Sequence, residues 1–174
     1  MSRTKWAAVM TAVIALGAAG CGSGTGAGSS PVSPRPEGTG LLTREVVRAD
    51  LDTSAAAAGA PANDPEWLSR SEESSAWRCA VVFKGYGTEA EPVDVARFKA
   101  TVRELDRRDW EDAGESEERK DEDEVYVSRV LLDQRGWRIV AEYWGKPAGG
   151  IISLVAFDNA CEEKRRGGEE GAAG

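Results

Sequence analysis

VYVSRVLLDQRGWRIVAEYWGKPAGGIISLVAF, residues 125–157, is the stretch whose reading decides the fold. Val125 to Leu132 is rich in β-branched side chains, which suit a pleated, half-buried surface. Trp137, Ile139, Ala141 and Tyr143 recur with a period of two, the mark of a strand with one face inward. Ile151 to Phe157 is apolar on both faces, as a central strand is. Asp133-Gln134-Arg135-Gly136 and the segment Gly145 to Gly150 carry the residues that turns need. Together these predict an antiparallel meander. Trp144 falls out of phase with the stripe that ends at Tyr143, so its ring is a candidate for contact with a partner, tryptophan being enriched at binding hot spots.

Working outward, Trp77 to Lys84 reads as a first strand. Trp77, Cys79, Val81 and Phe83 share one side, Arg78 and Lys84 lie on the other, and Gly85-Tyr86-Gly87 ends it. The segment 92–108 predicts a helix. Pro92 stands at its start, Val95, Phe98, Val102 and Leu105 form the buried stripe, and charged residues occupy the rest. A second helix is expected over 43–58, with Thr43 as cap, Leu42 and Val47 as a hydrophobic staple, and Gly59 as the stop. Residues 60–75 read as loop with one turn after Asp64-Pro65. Trp67 in that loop is either a lid on the core or a second partner-binding anchor. Glu111 to Glu124, with nine acidic residues in fourteen, predicts a solvated loop, and from Glu162 the chain is charged and Gly-rich, a frayed tail.

A local repeat bears on the meander. Leu105-Asp106-Arg107-Arg108-Asp109-Trp110 resembles Leu132-Asp133-Gln134-Arg135-Gly136-Trp137, offset by 27 residues. A duplicated helix–strand unit would make 125–135 helical, whereas Val125-Tyr126-Val127 favours extended backbone, and strand is the expectation here.

The N-terminus carries a different kind of information. Arg3 and Lys5 precede an uncharged apolar run from Trp6 to Ala19, the layout of a secretory signal peptide and too short a run to span a bilayer. The ending Ala18-Ala19-Gly20-Cys21 resembles the lipobox of bacterial lipoproteins; Leu16, rather than position 18, holds the nearest leucine. The resemblance implies that the Cys21 thiol is acylated and residues 1–20 are removed, and it places the protein on the extracytoplasmic face of the cell membrane, held by lipid. It is a resemblance to the lipoproteins of high-GC Gram-positive bacteria, confined to the first 21 residues and the tether that follows. Lipidation of Cys21 accounts for one of three cysteines and leaves Cys79 and Cys161 to pair. Export favours a disulfide between them; two buried thiols are the alternative, and a metal site is disfavoured with no histidine to complete it.

Gly22 to Gly40 is Gly-, Ser- and Pro-rich and reads as a linker with a coil dimension of roughly 25 Å. The expected organisation is therefore signal peptide 1–20, anchored linker 21–40, one domain over 41–163, and a disordered tail over 164–174. Without Arg3 and Lys5 the chain has 20 basic and 30 acidic residues, a net charge of −10. That balance argues against nucleic-acid partners, whose phosphates are bound by Lys and Arg. With no histidine, Ser-His-Asp and Cys-His arrangements are impossible. Acids in a surface loop lack the burial that fits a glycosidase acid for its task. Asp121 to Glu124 lack the spacing of a calcium loop, and Gly85-Tyr86-Gly87 does not form a phosphate-binding loop.

The expectation is an α+β domain of about four antiparallel strands with one or two helices on one face, non-enzymatic and without cofactor. It would bind an unknown envelope protein or ligand. A small-ligand or lipid carrier is the alternative, and would need an apolar cavity of several hundred Å³.

Overall fold

The computed structural model describes residues 40–170 apart from 115, 121–124 and 147–148. The signal segment, Cys21, nearly all of the linker, the acids Asp121 to Glu124 and the last four residues lie outside the described residues. Among the described residues, four helices, α1 (Arg44–Ala57), α2 (Pro65–Glu73), α3 (Val95–Asp106) and α4 (Asn159–Glu170), accompany six strands. The strands are β1 (Ala80–Tyr86), β2 (Glu111–Asp112), β3 (Glu117–Lys120), β4 (Tyr126–Gln134), β5 (Trp137–Gly145) and β6 (Ile151–Asp158). All pairings are antiparallel, in the order β1-β6-β5-β4, with β2 and β3 both on the far side of β4. The mixed α+β class is as expected, and β6 is central, between β1 and β5.

One face of the sheet makes the core. Val81 and Phe83, Ile152 and Leu154, Ile139 and Ala141, and Leu132 project from it against Val47, Leu51 and Ala55 of α1 and Phe98 and Leu105 of α3. Those helices form where the sequence supplies caps. Thr43 Oγ1 accepts the Val46 amide at 3.4 Å, and Leu42 and Val47 are both buried, as a staple requires. Gly59, at φ +70°, ends the helix in the left-handed region.

Helix α3 starts three residues later than the periodicity suggests. Val93 is buried, donates its amide to the Gly149 carbonyl at 2.6 Å and accepts from the Tyr143 hydroxyl at 3.3 Å. It is therefore tied to the β5–β6 loop, and Asp94, accepting the Arg97 amide at 2.8 Å, is the true cap.

The sheet exceeds the expected four strands because the acidic stretch contributes β2 and β3, exposed and wholly charged. No alternation of apolar residues announces them. They are edge strands held by backbone pairing to β4 and by ion pairs, Lys99–Glu118 at 2.9 Å among them. A charged edge deters pairing with another chain. The opposite edge is covered differently: Asn63 donates to the Val82 carbonyl at 3.2 Å and accepts from the Lys84 amide at 2.9 Å, and the Asp64 amide donates to the Lys84 carbonyl at 2.8 Å.

Three further expectations are corrected. The strand begins at Ala80, and Trp77 lies in a short 3₁₀ turn, half-buried. The loop after Asp64 is a nine-residue helix, because Asp64 caps it through the Trp67 amide at 2.6 Å and Pro65 occupies its first position. The charged segment from Glu162 is helical through Glu170 rather than a tail disordered from 164. Its start is secured by the Asp158 amide donating to the Cys79 carbonyl at 2.8 Å and by Asp158 Oδ1 accepting the Cys161 amide at 3.1 Å. Cys79 and Cys161 stand at disulfide distance, with Cα atoms 5.4 Å apart across 82 positions of sequence.

The recurring hexapeptide is a turn device, not a duplication. In each copy a residue with positive φ precedes the tryptophan: Asp109 at 63° after α3, and Arg135 at 44° with Gly136 at 89° in a two-residue β4–β5 hairpin loop. Both tryptophans are then buried with a satisfied indole N–H. Trp110 donates to Asp50 at 3.1 Å, and Trp137 to the Leu42 carbonyl at 2.9 Å.

Gly87 is the tightest backbone approach in this region. A Cβ there would stand 1.9 Å from the Gly149 carbonyl oxygen, so Gly87→Ala forces the α3 strap off the β5–β6 loop. The expected loss is about 1–3 kcal/mol, read as a lower urea midpoint with unchanged slope. Cys79→Ser should lower stability by roughly 2–4 kcal/mol relative to the oxidised wild type, and reductant should erase the difference.

Candidate functional site

The second face of the sheet carries neither α1 nor α3, and the pleat arranges its side chains in rows that run across the strands. Strand register sets Leu131, Val140, Val155 and Val82 side by side in one row. The next row holds Arg129, Glu142, Ser153 and Lys84, and the one beyond it Val127, Trp144, Ile151 and Tyr86. At the other end lie Asp133, Arg138, Phe157 and Ala80, beside the start of α4. Apolar and polar rows thus alternate.

Ala80, Val82 and Val127 are buried, whereas Leu131, Val140, Trp144, Ile151 and Val155 are half-buried and Tyr86 is 40% exposed. In this fold a half-buried row of such residues is a surface and not a core.

Both tryptophans singled out in the sequence border this face. Trp144 lies between Val127 and Ile151, on the side opposite Tyr143, as its phase requires. Trp67 reaches the face from α2: Lys84 Nζ stands 4.2 Å from its ring centroid and 5.5 Å from that of Tyr86. An ammonium between two aromatic rings is a cation–π arrangement that fixes the lysine stem along β1. Trp77 meets Trp67 edge-on, with centroids 6.2 Å apart at 65°. The sequence reading missed Tyr86 and Ile151 as members of the surface. The spacing Lys84-Gly85-Tyr86 contained the signal, since positions two apart share a strand face.

The polar row is charge-bearing and satisfied in part by itself. Arg129 Nε approaches Glu142 at 3.7 Å, and in the end row Arg138 grips Asp133 through two bonds of 2.7 Å each. Beyond it an open cleft of about 420 Å³, lined by Arg138, Phe157, Asn159, Glu162, Glu163 and Arg166, carries charges of both signs.

A second concavity borders β1. About 250 Å³ of half-open space lies among α1, α2 and β1, with Asp52, Ala56, Pro61, Leu68 and Phe83 in its walls. Its volume falls below the range typical of small-molecule sites. Burial pushes the Asp52 carboxyl above its ordinary range, and the Arg48 charge opposes that shift.

Among the described residues no three His, Cys, Asp or Glu side chains are grouped to hold a metal ion, and no helix is long and apolar enough to cross a membrane. Asp50, though buried, is engaged with Trp110 and with Arg108 at 3.5 Å, a structural role. No family model, curated protein or solved structure matches this chain.

The Asp52 shift has a stability consequence. A carboxyl with a raised folded-state pKa holds its proton more tightly in the native state, so its contribution is complete below the ordinary aspartate value and is lost as pH rises. Asp52→Asn should therefore raise the thermal midpoint by roughly a few degrees at pH 7. Little gain should remain at about pH 3, where the wild-type carboxyl is protonated in both states.

Proposed function

We propose that this chain is an extracytoplasmic lipoprotein, tethered through acylated Cys21, that binds an envelope partner on the open face of its sheet and performs no catalysis. The single observation that carries the binding reading is the row Tyr86, Ile151 and Trp144, half-buried or exposed on the face that carries neither α1 nor α3. Partly exposed aromatic residues on a protein surface are the common anchors of recognition.

Several features support the location. The charged n-region, the apolar run and Ala18-Ala19-Gly20-Cys21 fit export and lipidation. Cys79 and Cys161 at disulfide distance suit an oxidising compartment, where their bond would fasten α4 to the start of β1. Two or more acyl chains on Cys21 would anchor the protein stably, where one alone binds only marginally. Residues 22–40 would then hold the domain at roughly 25 Å from the lipid surface.

Cys21→Ser should shift the protein from the membrane fraction to the medium, or leave it unprocessed, and intact-mass analysis of the wild type should show a fatty-acid adduct. A mutant that stays membrane-bound with its signal removed would refute the anchor. A photo-reactive residue at position 144 should crosslink to an envelope component in cells, whereas one at Arg103, exposed on α3, should not. Equal labelling from both positions would remove the open face as the binding surface.

A further inference from the structure

We infer that the ligand of the open face is an extended β-1,4-linked glycan whose sugars carry acetamido or carboxylate groups, lying across the strands on Tyr86 and Trp144. The inference rests on the reading of that face as the binding surface and names the chemistry of what it takes.

Three features of the surface lead there. The first is spacing. Tyr86, Ile151 and Trp144 occupy the same register position on β1, β6 and β5, so the two aromatic residues are two inter-strand steps apart, about 10 Å. That is close to the disaccharide repeat of an extended β-1,4-linked chain, in which alternate sugars present equivalent faces. Ile151 lies under the sugar between them.

The second is the amphipathic character of the pyranose ring. Its C–H face is apolar and stacks on aromatic rings, while its equatorial rim is a ring of hydroxyl and substituent groups. The protein surface has the same division. One residue-wide apolar row is followed, two residues along each strand or about 7 Å away, by the parallel row Lys84, Ser153, Glu142 and Arg129. A chain stacked on the first row extends its substituents over the second. There Lys84 and Arg129 offer donors to carbonyl and carboxylate oxygens, Ser153 a hydroxyl, and Glu142 an acceptor for hydroxyl and amide N–H groups. An apolar peptide or a lipid laid over both rows would desolvate the charged row without giving it partners, at a cost.

The third is preorganisation. Lys84 Nζ is already held between Trp67 and Tyr86, at 4.2 and 5.5 Å from their centroids. Its long side chain therefore loses little further freedom when a ligand arrives. Trp67, backed by Trp77, is thus a positioning residue for Lys84 rather than a stacking platform for the glycan.

Titration calorimetry of the purified full chain with the β-1,4-linked hexamer of N-acetylglucosamine tests the inference. Saturable binding is expected. Trp144→Ala and Tyr86→Ala should each weaken it roughly tenfold, Trp144→Phe should retain most of it, and the N-acetylglucosamine monomer should bind far more weakly because it spans one platform. Both positions are at least partly exposed, so circular dichroism should show the variants folded. Absence of binding to folded wild type, binding indifferent to Trp144 and Tyr86, or equal affinity for monomer and hexamer would each overturn the assignment. The outcome separates from that of the broader reading. A protein captured from position 144 in cells, with no hexamer binding, keeps the open face as the binding surface and rejects the glycan. Loss of the lipid anchor leaves the titration unaffected.

Discussion

The alternation of side chains along a pleated strand is the constraint on which the rest of this structure depends. β1, β6, β5 and β4 each send every second residue into one apolar core under α1 and α3, and the intervening residues have no choice but the other face. A slip of one residue in any pairing would exchange the two sets. Ile152, Leu154 and Ala156 would emerge into solvent, and Ser153 would enter the core. The binding surface is thus the complement of the core, positioned by the same register.

The sheet has two vulnerable edges, and the chain protects them by unlike means. At β1, the side chain of Asn63 and the backbone of Asp64 occupy the free hydrogen-bonding groups of Val82 and Lys84. At β4, two short charged strands take that role and carry their own ion pairs. Both solutions leave the face opposite α1 and α3 as the surface where apolar side chains meet water in a row. The helices are secured at their ends by short polar side chains, Thr43, Asp64 and Asp94, each accepting the amide three residues on. The loop between β1 and α3 is secured mainly by backbone, through Val93 and the glycines Gly87, Gly149 and Gly150, with the Tyr143 hydroxyl donating to the Val93 carbonyl.

Much of the architecture was legible because it follows from periodicity. The β4–β5–β6 meander, the central place of β6 and the stripe of α3 all rest on patterns that repeat over at least seven residues. What escaped was held by contacts remote in sequence. Edge strands with exposed charged residues carry no hydrophobic signal. The helix from Asn159 begins because Asp158 and Cys161 are fastened beside Cys79. The repeated Leu-Asp-X-Arg-X-Trp pattern was visible, yet its meaning as a left-handed turn feeding a buried indole depends on backbone angles that the residue types alone do not specify.

The sequence by itself determined the phase of Trp144, the α+β class, and the absence of any histidine-based chemistry. Each is a property of composition or of short-range spacing. Only the tertiary structure decided that Trp144, Tyr86 and Ile151 stand in one line and that Trp67 reaches over Lys84 from another element. Those facts depend on strand order and register. Burial summed over the whole core sets them, and no local stretch of the chain encodes it.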